Sequence, residues 1–473
     1  MQTIRQVLDK SGGVQVARRL YMSPWYPLLV TILMVLSYCF SWEYPMWTVL
    51  AVLGCFSLII SDNLAVVLPP TFAATFFISV DNAPGSIRHQ GDLFEAYRLP
   101  WLFVLAGVIA VCFALHIAIY GSFSNIKTKP KFLLLFSIPM VIAMFCSGIA
   151  NPERLGQDAL FPLILALCWV GFYLIYAWGI QPSRESREYF FTTCFIIAMG
   201  LVLEVVHVYL FEKAVKESVA FFGWGVSNNY GGIMALLLPV AFYLATTRRV
   251  GWCFYLGGLG IWAAIFFSTS RGALLVGSLI LVVCLVLCCF RNPHKRLYRI
   301  FLGALVLLGL AALFIFPDFI KSLAPRYKYM GWSDSGRFKL WSNTLAIFAE
   351  YPIFGGGFFS IPFTSYVHPE GAYRFMPGFA HNTIVELLGA GGLFLLLTYL
   401  VYRGATIWRF ARRITWQRIF LGLVILSLLG TSMLDNHLFN IYPAFFYAAA
   451  LALGEQDYLA QTKEGAHALN TSL

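Results

Sequence analysis

The chain has 473 residues, 59% of them hydrophobic and only 12% charged. A soluble globular domain carries roughly 25% charged residues, so a soluble enzyme or a string of soluble domains is excluded. The net charge of +11 comes from basic residues scattered over short loops, which suits positive-inside topology and anionic lipids and not a nucleic-acid surface.

Apolar runs of roughly 17–25 residues, enough to cross a bilayer, recur along almost the whole chain. They predict an all-α, polytopic transmembrane helical bundle of about 12–14 spans, a single integral membrane domain over 1–473. The N-terminal stretch up to Ser23 is polar and basic, with no evident cleavable signal. N-terminal spans then fill 25–246, at about 25–41, 45–61, 64–80, 99–120, 131–149, 158–179, 189–211 and 227–246. Only Asp62-Asn63 separates the second from the third, so a re-entrant pair and one broken helix stay open. Spans near 252–268, 272–290 and 299–317 form the segment 252–317 around Ser270-Arg271-Gly272. A long loop occupies 318–380 and is expected to hold short helices. C-terminal spans near 382–402, 417–434 and 440–455 fill 381–455, and a tail follows over 456–473. The ten cysteines lie in or beside apolar runs and read as packing residues, with no disulfide framework or zinc site.

Basic clusters set the orientation. Arg5 to Arg19, Lys127 to Lys131, Arg248-Arg249, Arg291 to Arg299 and Arg403 to Arg418 all fall on one side of a fourteen-span chain. The positive-inside rule makes that side cytoplasmic. Both termini are then cytoplasmic, in a cell (inner) membrane. The loop 318–380, Arg271, His381, Asp435 and His437 share the opposite, extracytoplasmic face.

Arg271 interrupts an apolar stretch, where a charge is costly and marks a functional position by default. Its guanidinium matches phosphate oxygens in a bidentate fork; snorkelling to lipid phosphate is the plain alternative. Ser335-Gly336-Arg337 leads to Trp341. A helix from Gly336 puts Arg337 and Trp341 on one face at i, i+4, suited to a phosphosugar or equally to an amphipathic loop helix at the interface. Gly355-Gly356-Gly357 signals a tight turn and lacks the P-loop pattern. His381 precedes Thr383 and Glu386, which have capping-box spacing. A helix N-terminus beside His381 attracts anions and favours the neutral imidazole that can act as a base. Gly389, Gly391 and Gly392 are expected to let another helix approach closely. Glu204 and His207, at i, i+3, read as a polar contact within the membrane. No metal site and no cofactor are expected: HExxH and DxD-like patterns are missing.

From about Asn228 to the end, the chain resembles the O-antigen ligase and O-antigen polymerase superfamily. The resemblance rests on Asn228-Asn229 with Pro239, Ser270-Arg271-Gly272, Gly336-Arg337 with Trp341, Pro352-Ile353-Phe354-Gly355, and His381-Asn382 leading into Gly389 to Gly392. It implies a metal-independent, inverting glycosyltransferase of cell-surface polysaccharide biosynthesis. The donor is a polyprenyl-diphosphate-linked (undecaprenyl diphosphate) glycan. The acceptor is lipid A-core of lipopolysaccharide in the ligases, another lipid-linked repeat in the polymerases, and a protein hydroxyl in a related branch. Carried over by motif, Arg271 and Arg337 bind the diphosphate and His381 is the general base. Asp435 matches an acidic position loosely. Partners are the donor, a glycan or glycolipid acceptor and membrane lipids, with no nucleic acid. A lipid-linked glycan flippase and a shape-and-division type peptidoglycan polymerase are the competing readings.

Overall fold

In hydrocarbon a backbone has no partner but itself, and a helix satisfies each N–H and C=O within one segment. A computed structural model of the protein describes residues 2–40, 43–78, 99–121, 123, 129–151, 155–210, 227–290, 294–315, 336–361, 378–435, 437–439 and 441–471. Every regular element among the described residues is helical. Six described helices are long and apolar enough to cross a membrane, or seven if a pair bent by 63°, Gly12–Tyr21 with Trp25–Ser37, is one span. Five shorter apolar helices accompany them. The chain is a multi-pass membrane protein. Much of the predicted loop 318–380 lies outside the described residues.

The chain divides into two compact units, Met1–Thr128 with Trp178–Tyr329, and Lys129–Ala177 with Met330–Leu473. The first contains α1 (Gln2–Lys10), α2 (Gly12–Tyr21), α3 (Trp25–Phe40), α4 (Glu43–Ile60), α5 (Leu68–Ile78) and α6 (Leu99–Tyr120). The second holds α7 (Phe132–Phe145), α8 (Leu155–Ala166) and most of α9 (Phe172–Gly179), joined to α8 by one π turn. The first unit resumes with α10 (Arg184–Leu210), α11 (Ser227–Thr247), α12 (Gly251–Phe267), α13 (Arg271–Phe290) and α14 (Lys295–Ile315). Its centre is α11, buried along nearly its whole length against α10, α12 and α13. Asp62-Asn63 marks a break between helices. The Asn63 side chain accepts from the Ala65 and Gln181 N–H groups and donates to Ser186 Oγ. It thereby holds the start of a 3-10 turn against the foot of α10.

The second unit closes with α15 (Arg337–Glu350), α16 (Thr383–Ala411), α17 (Trp416–Ser432) and α18 (Ile441–Thr471). The basic cluster at the C-terminal end of α16 is not simply a solvated loop. Arg403, Arg409 and Arg418 are all buried. Arg409 pairs with the buried Glu455 at 3.2 Å, and Glu455 also accepts from Phe132 N–H and Tyr173 OH. The Arg418 guanidinium donates to the carbonyls of Arg409, Arg412 and Arg413, capping the end of α16. The Arg403 guanidinium lies over the rings of Tyr399, Tyr402 and Tyr447.

The glycines of α16 serve two close approaches. At Gly389 a helix packs in, as the spacing suggests: a Cβ there would lie 2.3 Å from Thr344 Cγ2 of α15. The segment Pro352 to Gly357 enters a break in α16 beside it. Gly356 and Gly357 N–H donate to the carbonyls of Gly389 and Ala390, while Leu393 and Phe394 N–H donate to those of Pro352 and Ile353. The four bonds re-satisfy the backbone groups that the break releases, as a bilayer requires. Gly392 sits at φ 62°, ψ −159°, a region open essentially to glycine alone. A Cβ there would lie 2.5 Å from the Ile353 carbonyl oxygen. Gly392→Ala is therefore expected to cost at least about 1–3 kcal/mol from backbone strain alone. A fall in the unfolding midpoint of the purified protein is the measurement; an unchanged midpoint would contradict the assignment.

Candidate active site

His381 lies just before α16 and adopts a left-handed backbone, φ 53°. Asn382 next to it is the N-cap, its Oδ1 accepting from the Ile384 and Val385 N–H groups at 3.0 and 3.2 Å. That corrects the expected capping box. Thr383 is the first helical residue and its hydroxyl donates to the Ser432 carbonyl instead. Asn382 Nδ2 donates to the Met433 carbonyl at 3.0 Å. Both bonds tie the start of α16 to the end of α17. Glu386 reaches back beyond the cap, and its Oε2 accepts the Ala380 N–H at 2.6 Å.

The same tie brings the turn after α17 to His381. His381 Nδ1 lies 2.6 Å from Asp435 Oδ1. Burial acts to raise the Asp435 pKa. The hydrogen bond and charge of His381, then the charges of His437 and Arg337, outweigh it and hold the carboxyl well below the usual range. An ionised carboxylate can only accept, so Nδ1 carries the proton and donates it, leaving Nε2 as the second ring nitrogen.

Burial acts to lower the His381 pKa, and Arg337 adds to that. The hydrogen bond and charge of Asp435, helped by Glu386, prevail and leave it raised. The helix end, expected to favour neutral imidazole, is overridden by a carboxylate in direct contact. His437, on the other side of Asp435 in sequence, shifts the opposite way: burial pushes its pKa down, and the charges of His381 and Arg337 add to that. One carboxylate thus has two unlike imidazoles near it, and His381 is hydrogen-bonded to it. About a third of the His381 side chain, 36%, is exposed, against 14% for Asp435.

Arg337 opens α15, as the sequence predicts, behind Gly336 in the left-handed region at φ 78°. Its charge acts on His381, Asp435 and His437, so one cation, one carboxylate and two imidazoles share a single locale. Trp341 follows on the same helix. Its indole N–H donates to the Ala380 carbonyl at 2.8 Å, a positional contact its spacing did not reveal. Its ring meets Phe338 edge-on at 5.4 Å. Arg271 belongs to the first unit. It is half-buried at the first residue of α13, after a turn in which Thr269 has φ 61° and Ser270 Oγ accepts the Ala273 N–H.

Residues 256–400 match the family Wzy_C, O-antigen ligase. That stretch of the chain is similar to O-antigen ligases. The matched residues include Arg271, Arg337, Trp341, His381 and Glu386, whereas Asp435 lies beyond their end. The match supports a membrane glycosyltransferase of the O-antigen ligase type, acting in polysaccharide biosynthesis on lipid-linked glycan and acceptor. No curated protein matches the chain. Within the matched residues, Glu386 is the one that sequence reasoning undervalued. Its spacing from Thr383 suggested a cap; its contact with Ala380 depends on how the chain enters α16.

Proposed function

We propose that this chain transfers a glycan from a polyprenyl-diphosphate donor to an acceptor hydroxyl, with inversion and without a metal. The reaction takes place at the extracytoplasmic face of the cytoplasmic membrane, with both termini on the other side. The observation that supports it best is the Asp435–His381 pair beside Arg337, at the start of α16.

The chemistry follows from the charges. Asp435 holds the imidazole through Nδ1–H. Nε2 takes the proton of the acceptor hydroxyl as its oxygen bonds to the anomeric carbon. The bond from that carbon to the phosphate oxygen breaks, and its electron pair leaves on the diphosphate. Diphosphate leaves well, and a fixed guanidinium stabilises the charge that develops on it. Arg337 supplies that guanidinium; Arg271 joins it on the family resemblance. Asp435 orients the base and stabilises the imidazolium formed, as carboxylates do in other Asp–His pairs.

The test uses the purified full-length protein, an undecaprenyl-diphosphate glycan and EDTA, with and without lipid A-core. Product only with lipid A-core identifies a ligase, and longer lipid-linked glycan without it identifies a polymerase. Loss of product in EDTA would remove the metal-free mechanism. Glycan movement across vesicles with no glycosyl product would replace the enzyme by a flippase. Arg337→Ala is expected to lower turnover by about 10²–10³-fold, the usual cost of one group that stabilises developing charge. Full activity in that variant would take Arg337 out of the site.

A further inference from the structure

Ala380 is fully buried, and both of its backbone polar groups are held by side chains from flanking helices. Its N–H donates to Glu386 Oε2 at 2.6 Å, and its carbonyl accepts the Trp341 indole N–H at 2.8 Å. Glu386 is itself wholly buried, one turn inside α16. The next residue is His381, a non-glycine residue in the left-handed region. Such a backbone persists only where its surroundings over-determine it.

We propose that Glu386 is a positioning residue that, through the Ala380 peptide, fixes His381 in this left-handed turn with its imidazole against Asp435. The inference rests on the proposed role of His381 as the base. Glu386 does not touch substrate. It acts in two separable ways. Its carboxylate oxygen accepts the Ala380 N–H, which fixes the turn. Its negative charge favours the protonated imidazole, in the direction seen for His381. Trp341 holds the other side of the same residue, so its indole has a positional part besides any contact with sugar.

Glutamine and alanine separate the two actions. A glutamine amide oxygen still accepts the Ala380 N–H but carries no charge; alanine removes both. Two readouts are needed. One is turnover of an undecaprenyl-diphosphate glycan. The other is peptide-resolved diethylpyrocarbonate labelling of His381 against pH, which needs no substrate. Glu386→Gln is expected to keep turnover within a few-fold of wild type and to move the His381 labelling midpoint to lower pH. Glu386→Ala is expected to lose at least about tenfold in turnover, as misplacement of a reacting group does, and to change the labelling rate as well as its midpoint. Trp341→Phe is expected to lose turnover without the acid shift, because no charge is removed.

Turnover and labelling of Glu386→Ala that match wild type would overturn the proposal. So would an equal loss of turnover in Glu386→Gln and Glu386→Ala with the same midpoint as wild type, because a merely structural carboxylate would behave so. If His381→Ala kept full turnover, the proposed function would fall. The labelling comparison would still report whether Glu386 fixes the imidazole.

Discussion

Replacing His381 by alanine is expected to lower turnover by about 10²–10⁴-fold, the range over which a positioned acid or base acts, while the protein still binds its lipid-linked donor. The expectation follows from where the imidazole stands. Nδ1 is engaged by Asp435, so only Nε2 can take a proton. The base is competent only when Nε2 is free. Because the His381 pKa is raised above the ordinary 6.5, kcat/KM should fall as pH drops through that raised value and level off above it. A wild-type acid limb at or below 6.5 would contradict the pairing. Full turnover in the alanine variant would remove the base from the mechanism.

Asp435→Asn is expected to cost turnover by an amount within the same range, about 10²–10⁴-fold, and to move the acid limb the other way. Asparagine removes both the charge and the ionic hydrogen bond that raise the His381 pKa. Burial and Arg337, the influences that lower it, then prevail. The limb should therefore shift to lower pH even as the plateau falls. A plateau loss with an unmoved limb would mean that Asp435 supports the fold and not the imidazole. The same pairing has a sign in stability. For His381, with a raised pKa, the contribution is complete below the pKa of an unfolded histidine and is lost as pH rises through the folded value. For Asp435, with a lowered pKa, it is present above the pKa of an unfolded carboxyl and lost as pH falls through the folded value. Unfolding in detergent across that range reads both limbs, and Asp435→Asn should flatten them.

The helical, multi-pass character was legible because it is a local property. A run such as Arg271–Phe290, with a single charge at its end, leaves the backbone only one way to satisfy itself in a bilayer. The helix beginning at Gly336-Arg337 was legible for a similar reason, since a glycine stop and an i, i+4 pattern lie within a few residues. His381 and the arginines stood out as charges and an imidazole at the edges of apolar runs, where polar groups are costly.

What those residues do to one another was not legible. Asp435 is 54 residues from His381, and the contact exists because Asn382 and Thr383 fasten the start of α16 to the end of α17. The direction of the His381 shift depends on that contact and opposes the helix-end effect inferred from the sequence. Glu386 has the spacing of a capping-box residue and makes another bond, because the cap falls one residue earlier, on Asn382. The glycines of α16 signalled close approach, but not that a loop would enter and complete the hydrogen bonds of a broken helix. The sequence by itself determined the elements, their apolar character and the residue types available for chemistry, since these follow from local composition and backbone solvation. Only the tertiary structure decided which carboxylate faces which imidazole and which backbone groups hold it. Electrostatic shifts depend on distance and burial, and neither is a property of neighbours in sequence.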